Sequence, residues 1–348
     1  MLRCILFVLC AMACSLGPLQ AQDPHFSQYY SNPLYLNPGM TGLEPDVYFG
    51  LNYRSQWESL DLPFEIAQFT MVHPILEKGS QFKHRGGVGM SVYHETAGQA
   101  NSFQTTSFTA SGAYNLFLKE DGSQMISVGI QGGFISKRIN FNDLRWGSQY
   151  DPFIGFNSSI TPSFDLGSER TTFPVIHAGA VWYFDKTKRR MRSGISGFVG
   201  VAASNLNQPD ESLLEEPGTE SPLPTLYKAH GGLNFRMSAQ LTLSPNVLYM
   251  KQHNSQQINT GLYLTYQLVG PRSRNNKLKV QLGTWYRFDD AFIVSLGLKT
   301  RNLGLGFSYD FNNSSLRQFS GGNGAVEASI SYRIIKGKGL RRFSTPLL

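Results

Sequence analysis

Residues 325–335 alternate without a break. Val326, Ala328, Ile330, Tyr332 and Ile334 are apolar, and Glu327, Ser329, Ser331 and Arg333 are polar or charged. A β-strand has a side-chain period of two, so this segment has one greasy and one wet face. On a soluble sheet the greasy face would cover a core. In a membrane barrel it meets lipid, and the polar face meets a wet lumen. The alternation recurs along nearly the whole chain. Leu262, Leu264, Tyr266 and Leu268 interleave with Tyr263, Thr265 and Gln267. Leu303, Leu305, Phe307, Tyr309 and Phe311 interleave with Gly304, Gly306, Ser308 and Asp310. No long stretch carries apolar residues at helical spacing.

The pattern predicts an all-β protein: a transmembrane antiparallel up-and-down β-barrel of about 14 strands, preceded by an irregular N-terminal segment. The strands fall at 47–57, 65–74, 87–95, 101–118, 123–140, 174–184, 193–205, 228–236, 239–251, 257–268, 279–288, 292–300, 303–311 and 325–335. Asp121-Gly122 marks a tight hairpin turn of the kind that needs positive φ. If the first strand runs upward, the long connections 141–172, 208–227 and 312–323 all fall at one end. Short basic turns at 83–85, 186–192 and 272–277 fall at the other. Barrels of this kind have short periplasmic turns and longer external loops. The phase holds to the last strand, which puts both chain ends in the periplasm.

The chain opens as an exported protein. Met1-Leu2-Arg3 is basic, 5–16 is apolar, and Leu19-Gln20-Ala21 offers a cut before Gln22. Residues 1–21 therefore read as a signal peptide, 22–46 as the irregular segment, 47–335 as the barrel, and 336–348 as a basic periplasmic tail. Lipidation at Cys14 is the alternative to cleavage after Ala21. The three cysteines, Cys4, Cys10 and Cys14, all lie in the leader, so cleavage leaves no thiol for a disulfide or a metal site. An exported chain with lipid-facing strands and no spanning helix belongs in the outer membrane.

Composition agrees. The 348 residues include Tyr 16, Phe 24 and Gly 35, with hydrophobic content of only 41%. That balance suits many strands with aromatic girdles. The net charge is +7. An exported barrel is not expected to bind nucleic acid, and a basic periplasmic rim could instead dock an acidic partner or simply be solvated. No chemistry stands out. His94-Glu95 lacks the second histidine of a zinc-protease helix, and Gly194-Ile195-Ser196-Gly197 lacks nucleophile-elbow spacing. No enzyme and no cofactor is expected.

The segment 22–42 is distinctive. It carries Phe26, Gln28, Tyr29, Tyr30 and Tyr35, with Asn-Pro steps at Asn32-Pro33 and Asn37-Pro38. Asn-Pro steps favour turns and exclude a continuous helix. Tyr53-Arg54-Ser55-Gln56-Trp57, Asn205-Leu206-Asn207-Gln208-Pro209, 256–261, 307–312 and 324–335 follow in order. Together these resemble the PorP/SprF family of type IX secretion and gliding-motility membrane proteins of Bacteroidota, with Gly39 standing where the family usually has alanine.

The resemblance implies an accessory role rather than catalysis. The expected partners are an adhesin-like cargo with a C-terminal sorting domain, translocon or periplasmic ring subunits, and outer-membrane lipid. Phe26, Gln28, Tyr29, Tyr30, Asn32, Tyr35, Asn37, Arg54 and Trp57 are the candidate partner-binding residues. The aromatics among them could equally pack in the barrel mouth as a partial plug. The competing function is a passive channel or solute transporter, with Arg54, Glu327, Arg333 and Lys299 lining the lumen.

Overall fold

The computed structural model describes residues 25–58, 63–77, 84–98, 101–141, 144–151, 153–157, 159–160, 169–186, 194–213, 220–268, 278–314 and 322–336. The expected leader (1–21) and nearly all of the basic tail lie outside them. The strands are β1 Val47–Gln56, β2 Phe64–Leu76, β3 His84–Ala97, β4 Phe103–Phe117, β5 Gln124–Ile139, β6 Tyr150–Asp151, β7 Gly155–Phe156, β8 Arg170–Asp185, β9 Gly194–Ser204, β10 Leu226–Arg236, β11 Leu241–Gln252, β12 Ser255–Leu268, β13 Leu278–Arg287, β14 Ala291–Lys299, β15 Leu303–Asn312 and β16 Asn323–Ile334. All except β6 and β7 form one closed antiparallel barrel of fourteen strands, the number the alternation predicts. The β6–β7 pair is a small separate hairpin in the longest connection, which the alternation did not reveal. β1 closes on β16 from Val47↔Ile334 to Gln56↔Ala325. Closure leaves the sheet no free edge.

Register converts alternation into two surfaces. Leu51 stands beside Phe69 on β2 and Ile330 on β16, which in turn stands beside Leu305. All four face outward, with Leu51 and Ile330 about half exposed. Three positions along β1, Arg54 stands opposite Glu327, and both are buried inside. An apolar belt and a polar interior on the same strands is the lipid-facing pattern. No helix among the described residues is long and apolar enough to cross a membrane. The chain crosses with strands.

Two local features differ from expectation or refine it. In the turn 119–122, only Gly122 takes a positive φ (69°), and its N–H donates to Lys119 O at 3.1 Å. The turn thus closes over four residues with one left-handed glycine, rather than as a two-residue primed turn. At the β8–β9 seam, β9 stops at Ser204 while β8 runs on toward the long loops. The Asn205-Leu206-Asn207 element covers the exposed backbone. Asn207 Nδ2 donates to Pro174 O (2.8 Å), Ile176 N donates to Asn207 Oδ1 (3.1 Å), and Leu206 N donates to Ile176 O (2.9 Å). One amide side chain thereby continues the ladder. Asn207→Ala should cost about 1 kcal/mol for each bond lost, less what water restores. The thermal midpoint of heat-modifiable gel migration checks this.

The N-terminal segment is a chain of short turns: Tyr29–Ser31, Pro33–Leu36 and Pro38–Met40. Pro33 and Pro38 each occupy the first position of their turn, where a missing N–H costs nothing. Asn37 Oδ1 accepts from Gly39 N at 2.8 Å and caps the last of them.

Candidate functional site

The N-terminal segment lies inside the barrel. The described chain begins at the long-loop mouth, where His25 lines an open cavity, and the segment runs down to the short-turn end, where Val47 begins β1. The N-terminal end therefore lies at the outer mouth and not in the periplasm, because the segment threads the lumen before the first strand. By loop length the long-loop mouth faces outward. Phe26, Tyr29, Tyr30, Leu36, Met40 and Leu43 join wall residues Met125, Tyr183, Phe198, Leu248 and Trp285 in one buried apolar cluster. Tyr29 and Tyr263 each meet the Trp285 ring edge-on, at 5.4 and 5.1 Å between centroids. The inner face is therefore not uniformly wet, as period-two reading predicts. A folded plug gives the inward aromatics a dry core, as in a soluble domain.

Polar groups fix the plug at three depths. Nearest the outer mouth, Glu327 accepts from the backbone N–H of Ser27 (2.6 Å) and of Gln28 (3.0 Å), and from Asn52 Nδ2 (2.8 Å). Arg54 reaches Glu327 at 3.3 Å and Asp310 at 2.9 Å, while Arg287 reaches Asp310 at 3.2 Å. Ser27 Oγ sits among them, donating to Asp310 Oδ2 at 2.7 Å and accepting from Arg54 Nη1 at 2.7 Å. Arg287 also reaches the part-exposed Asp290 at 2.8 Å, so two guanidinium groups meet three carboxylates in a buried clamp that holds the plug's first turn beneath the cavity. Midway, Asn37 Nδ2 donates to Ala180 O (3.1 Å) and Val201 O (3.0 Å). Lys228 Nζ donates to Tyr35 O at 2.6 Å and lies 3.7 Å above the Tyr35 ring. Toward the short-turn end, Leu43 O meets His84 Nε2 at 2.9 Å, and Gly42 O accepts from Asn115 Nδ2 at 3.0 Å.

The wall is cut back where the plug touches it. A Cβ on Gly129 would stand 2.2 Å from Pro38 O. Gly42, at φ +70°, lies so close to Gly86 and Gly87 that a Cβ there would be 2.3 Å from Gly87 N. Gly39 is tight as well. A Cβ there would stand 3.0–3.1 Å from Asn37 Oδ1, Ala180 Cα and Ser127 O, so the alanine usual in the family would need those neighbours to yield.

The nine candidate residues separate by depth. Phe26, Gln28, Tyr29, Tyr30, Asn32 and Asn37 are buried within the lumen, and Tyr35 is half-buried beside them. Arg54 is buried in the clamp but touches the outer cavity. Trp57, at φ +61°, lines that cavity beside Phe64. Ser27, Arg287 and Asp310 were not among the candidates. The inward parity of Arg287 and Asp310 was legible, but their meeting with Ser27, 260 and 283 residues away, was not.

Above the plug is a cavity of about 1040 Å³. Trp57, Phe64, Phe103 and Phe288 give it apolar surface, and Glu95, Arg138, Asp289 and Asp290 give it charge of both signs. Part of its rim is the loop between β9 and β10, pinned by the Lys137–Glu211 ion pair and by Leu223 packed on Ile135, Phe173 and Val175. Within that loop Asp210 accepts from Ser221 N (2.8 Å) and Ser212 N (3.0 Å), which hold its carboxyl below the usual range.

A closed fourteen-strand barrel with a lipid-facing belt and a lumen filled by its own N-terminal segment is an outer-membrane protein. The chain matches the type IX secretion system membrane protein PorP/SprF family over residues 19–332 and belongs to that family. It is thus an outer-membrane component of type IX secretion. No curated protein matches it. Among solved structures it is similar to the Ralstonia pickettii toluene transporter TbuX (11% identity, TM-score 0.46, 89% of this chain and 93% of that one). It is also similar to a Pseudomonas aeruginosa FadL homologue (12% identity, TM-score 0.41, 85% and 92%). The CymD monoaromatic hydrocarbon channel gives 12% identity and a TM-score of 0.43 over 92% and 96%.

Proposed function

We propose that this barrel is an accessory component of the type IX machinery that holds a polypeptide at its outer mouth. That polypeptide is the C-terminal sorting domain of an adhesin-type cargo or a subunit of the machine, and holding it supports export and surface attachment, including that of gliding adhesins. The observation that carries the reading is a lumen occupied by a packed plug beneath a large open cavity. A barrel filled below and hollow above is suited to holding a chain rather than passing a solute. Aromatic residues and arginine, here Trp57, Phe64, Phe103, Phe288 and Arg138, are the types enriched in protein-binding surfaces.

In this reading Trp57 meets the partner directly, and Arg54 acts through the clamp that holds the cavity floor. Phe26, Gln28, Tyr29, Tyr30, Asn32, Tyr35 and Asn37 act through the plug that forms the cavity floor. Trp57→Ala should weaken retention of the partner about tenfold or more at unchanged barrel level, as expected for an aromatic anchor. The test is the surface proteome of cells lacking this chain. One or a few secreted proteins should be lost, restored by the wild-type chain and only partly by Trp57→Ala. An unchanged surface proteome would overturn the proposal.

The competing channel reading makes an opposite demand on the plug. Purified wild-type barrel in a planar bilayer should show no steady conductance, and a stable open pore would favour the channel.

A further inference from the structure

Neighbouring strands of the barrel follow one another along the chain at every joint but one. The exception is β1–β16, where the first strand meets the last. Arg54 and Glu327, which stand opposite each other there, are 273 residues apart. Bringing such distant strands together costs more chain entropy than closing a hairpin, and an unclosed joint exposes two strand edges. No connection holds this joint, so it is the intrinsic weak point of the wall. The plug's first turn lies across it. On the β1 side, Tyr48 Oη donates to Ser31 O (2.9 Å), and Arg54 Nη1 donates to Ser27 Oγ (2.7 Å). On the β16 side, Gln28 Nε2 donates to the backbone O of Glu327 (2.9 Å), and Ser329 Oγ donates to Gln28 Oε1 (2.7 Å). Gln28 Nε2 also reaches Ser308 Oγ on β15 at 3.3 Å. Gly306 leaves the amide its room there, since a Cβ would stand 2.3 Å from Gln28 Oε1.

Glu327 ties the two events together. Its buried carboxylate takes two donors from β1, Asn52 and Arg54, and two from the plug, the N–H groups of Ser27 and Gln28. With the turn gone, half of those donors are lost, and a buried carboxylate left short of donors is costly. With the joint open, the turn loses its partners on one side. Seating of the turn and closure of β1 on β16 therefore stabilise each other.

We propose that residues 27–31 are a staple that keeps β1 closed on β16, so that release of this turn opens the wall at that joint and not elsewhere. This role is independent of any partner at the outer mouth. Hydrogen exchange of the full-length protein in detergent tests it, with Gln28→Ala compared against wild type. The substitution removes the three side-chain bonds of Gln28 and leaves the ion pairs of the clamp in place. Backbone amides of β1 and β16 should exchange about tenfold faster in the variant, and those of β10 to β12 at the wild-type rate. Asn37→Ala, which frees the plug from β8 and β9, should leave the β1 and β16 amides protected. A disulfide in Leu51→Cys/Ile330→Cys, an outward pair directly opposite across the joint, should restore protection to Gln28→Ala. If Gln28→Ala does not assemble, the same disulfide should rescue its heat-modifiable migration. Unchanged exchange at β1 and β16, acceleration spread evenly round the barrel, or equal acceleration there by Asn37→Ala would overturn the proposal. So would a locked Gln28→Ala that still fails to assemble.

Discussion

Arg54→Ala should destabilise the folded barrel by about 3–5 kcal/mol, the usual cost of removing one partner from a buried ion-pair network. Arg54 is 2% exposed, and Glu327 is 0% exposed. Arg54 is also the only group in the clamp that touches both Glu327 and Asp310 within salt-bridge distance among the described residues. Without it, Arg287 alone faces Asp310, and Glu327 keeps only neutral donors: Ser27 N, Gln28 N and Asn52. Arg54→Lys preserves charge but cannot fork toward both acids, so it should fall between wild type and alanine. Urea unfolding in lipid or detergent measures the difference. Because the clamp also holds the first turn of the plug, the alanine variant should expose the peptide bonds near Tyr29 to protease before the barrel itself unfolds. Equal stability of all three proteins would mean that the clamp does not anchor the plug.

Gly129→Ala should displace the plug. The new Cβ would stand 2.2 Å from Pro38 O and 2.4 Å from Pro38 C, and both are backbone atoms that no rotamer change can move. The wall cannot yield instead, because Gly129 is laddered to Ala113 on one side and Gly179 on the other. Overpacking of this kind costs about 1–3 kcal/mol, and the Pro38–Met40 turn is the part free to move. The expected result is ion conductance in a planar bilayer where wild type shows none. Gly112→Ala is the matched control, since a Cβ there meets nothing within 4 Å, and it should stay closed. A Gly129→Ala barrel as tight as wild type would show that the plug does not seal the lumen.

Most of the wall was legible in the sequence because a strand's side-chain parity is a local property. Residues 325–335 reveal which side of β16 is inward before any partner strand is known. The plug was not legible in that way. Phe26, Tyr29 and Tyr30 read the same whether they dock on another protein or fold back into their own barrel, because burial depends on closure of strands far away. One signal did exist. Trp285 and Phe198 sit at inward positions beside Gly283 and Gly200 on the same strands, and a lumen wall that alternates bulky aromatics with glycines implies that something fills the space. The clamp shows the same limit. Asp310 lies on the inward side of β15 by alternation alone, but its meeting with Ser27 needs the whole barrel to close. Asn207 is a further case, since an amide that continues a strand ladder leaves no periodic mark.

The most direct measurement is gentle detergent extraction of the tagged protein from its native outer membrane, with identification of what copurifies. The expected result is a large secreted protein retained through its C-terminal domain, or a defined subunit of the machine, and lost on Trp57→Ala while the barrel stays folded. A clean, partnerless barrel from wild-type cells would contradict the proposed role.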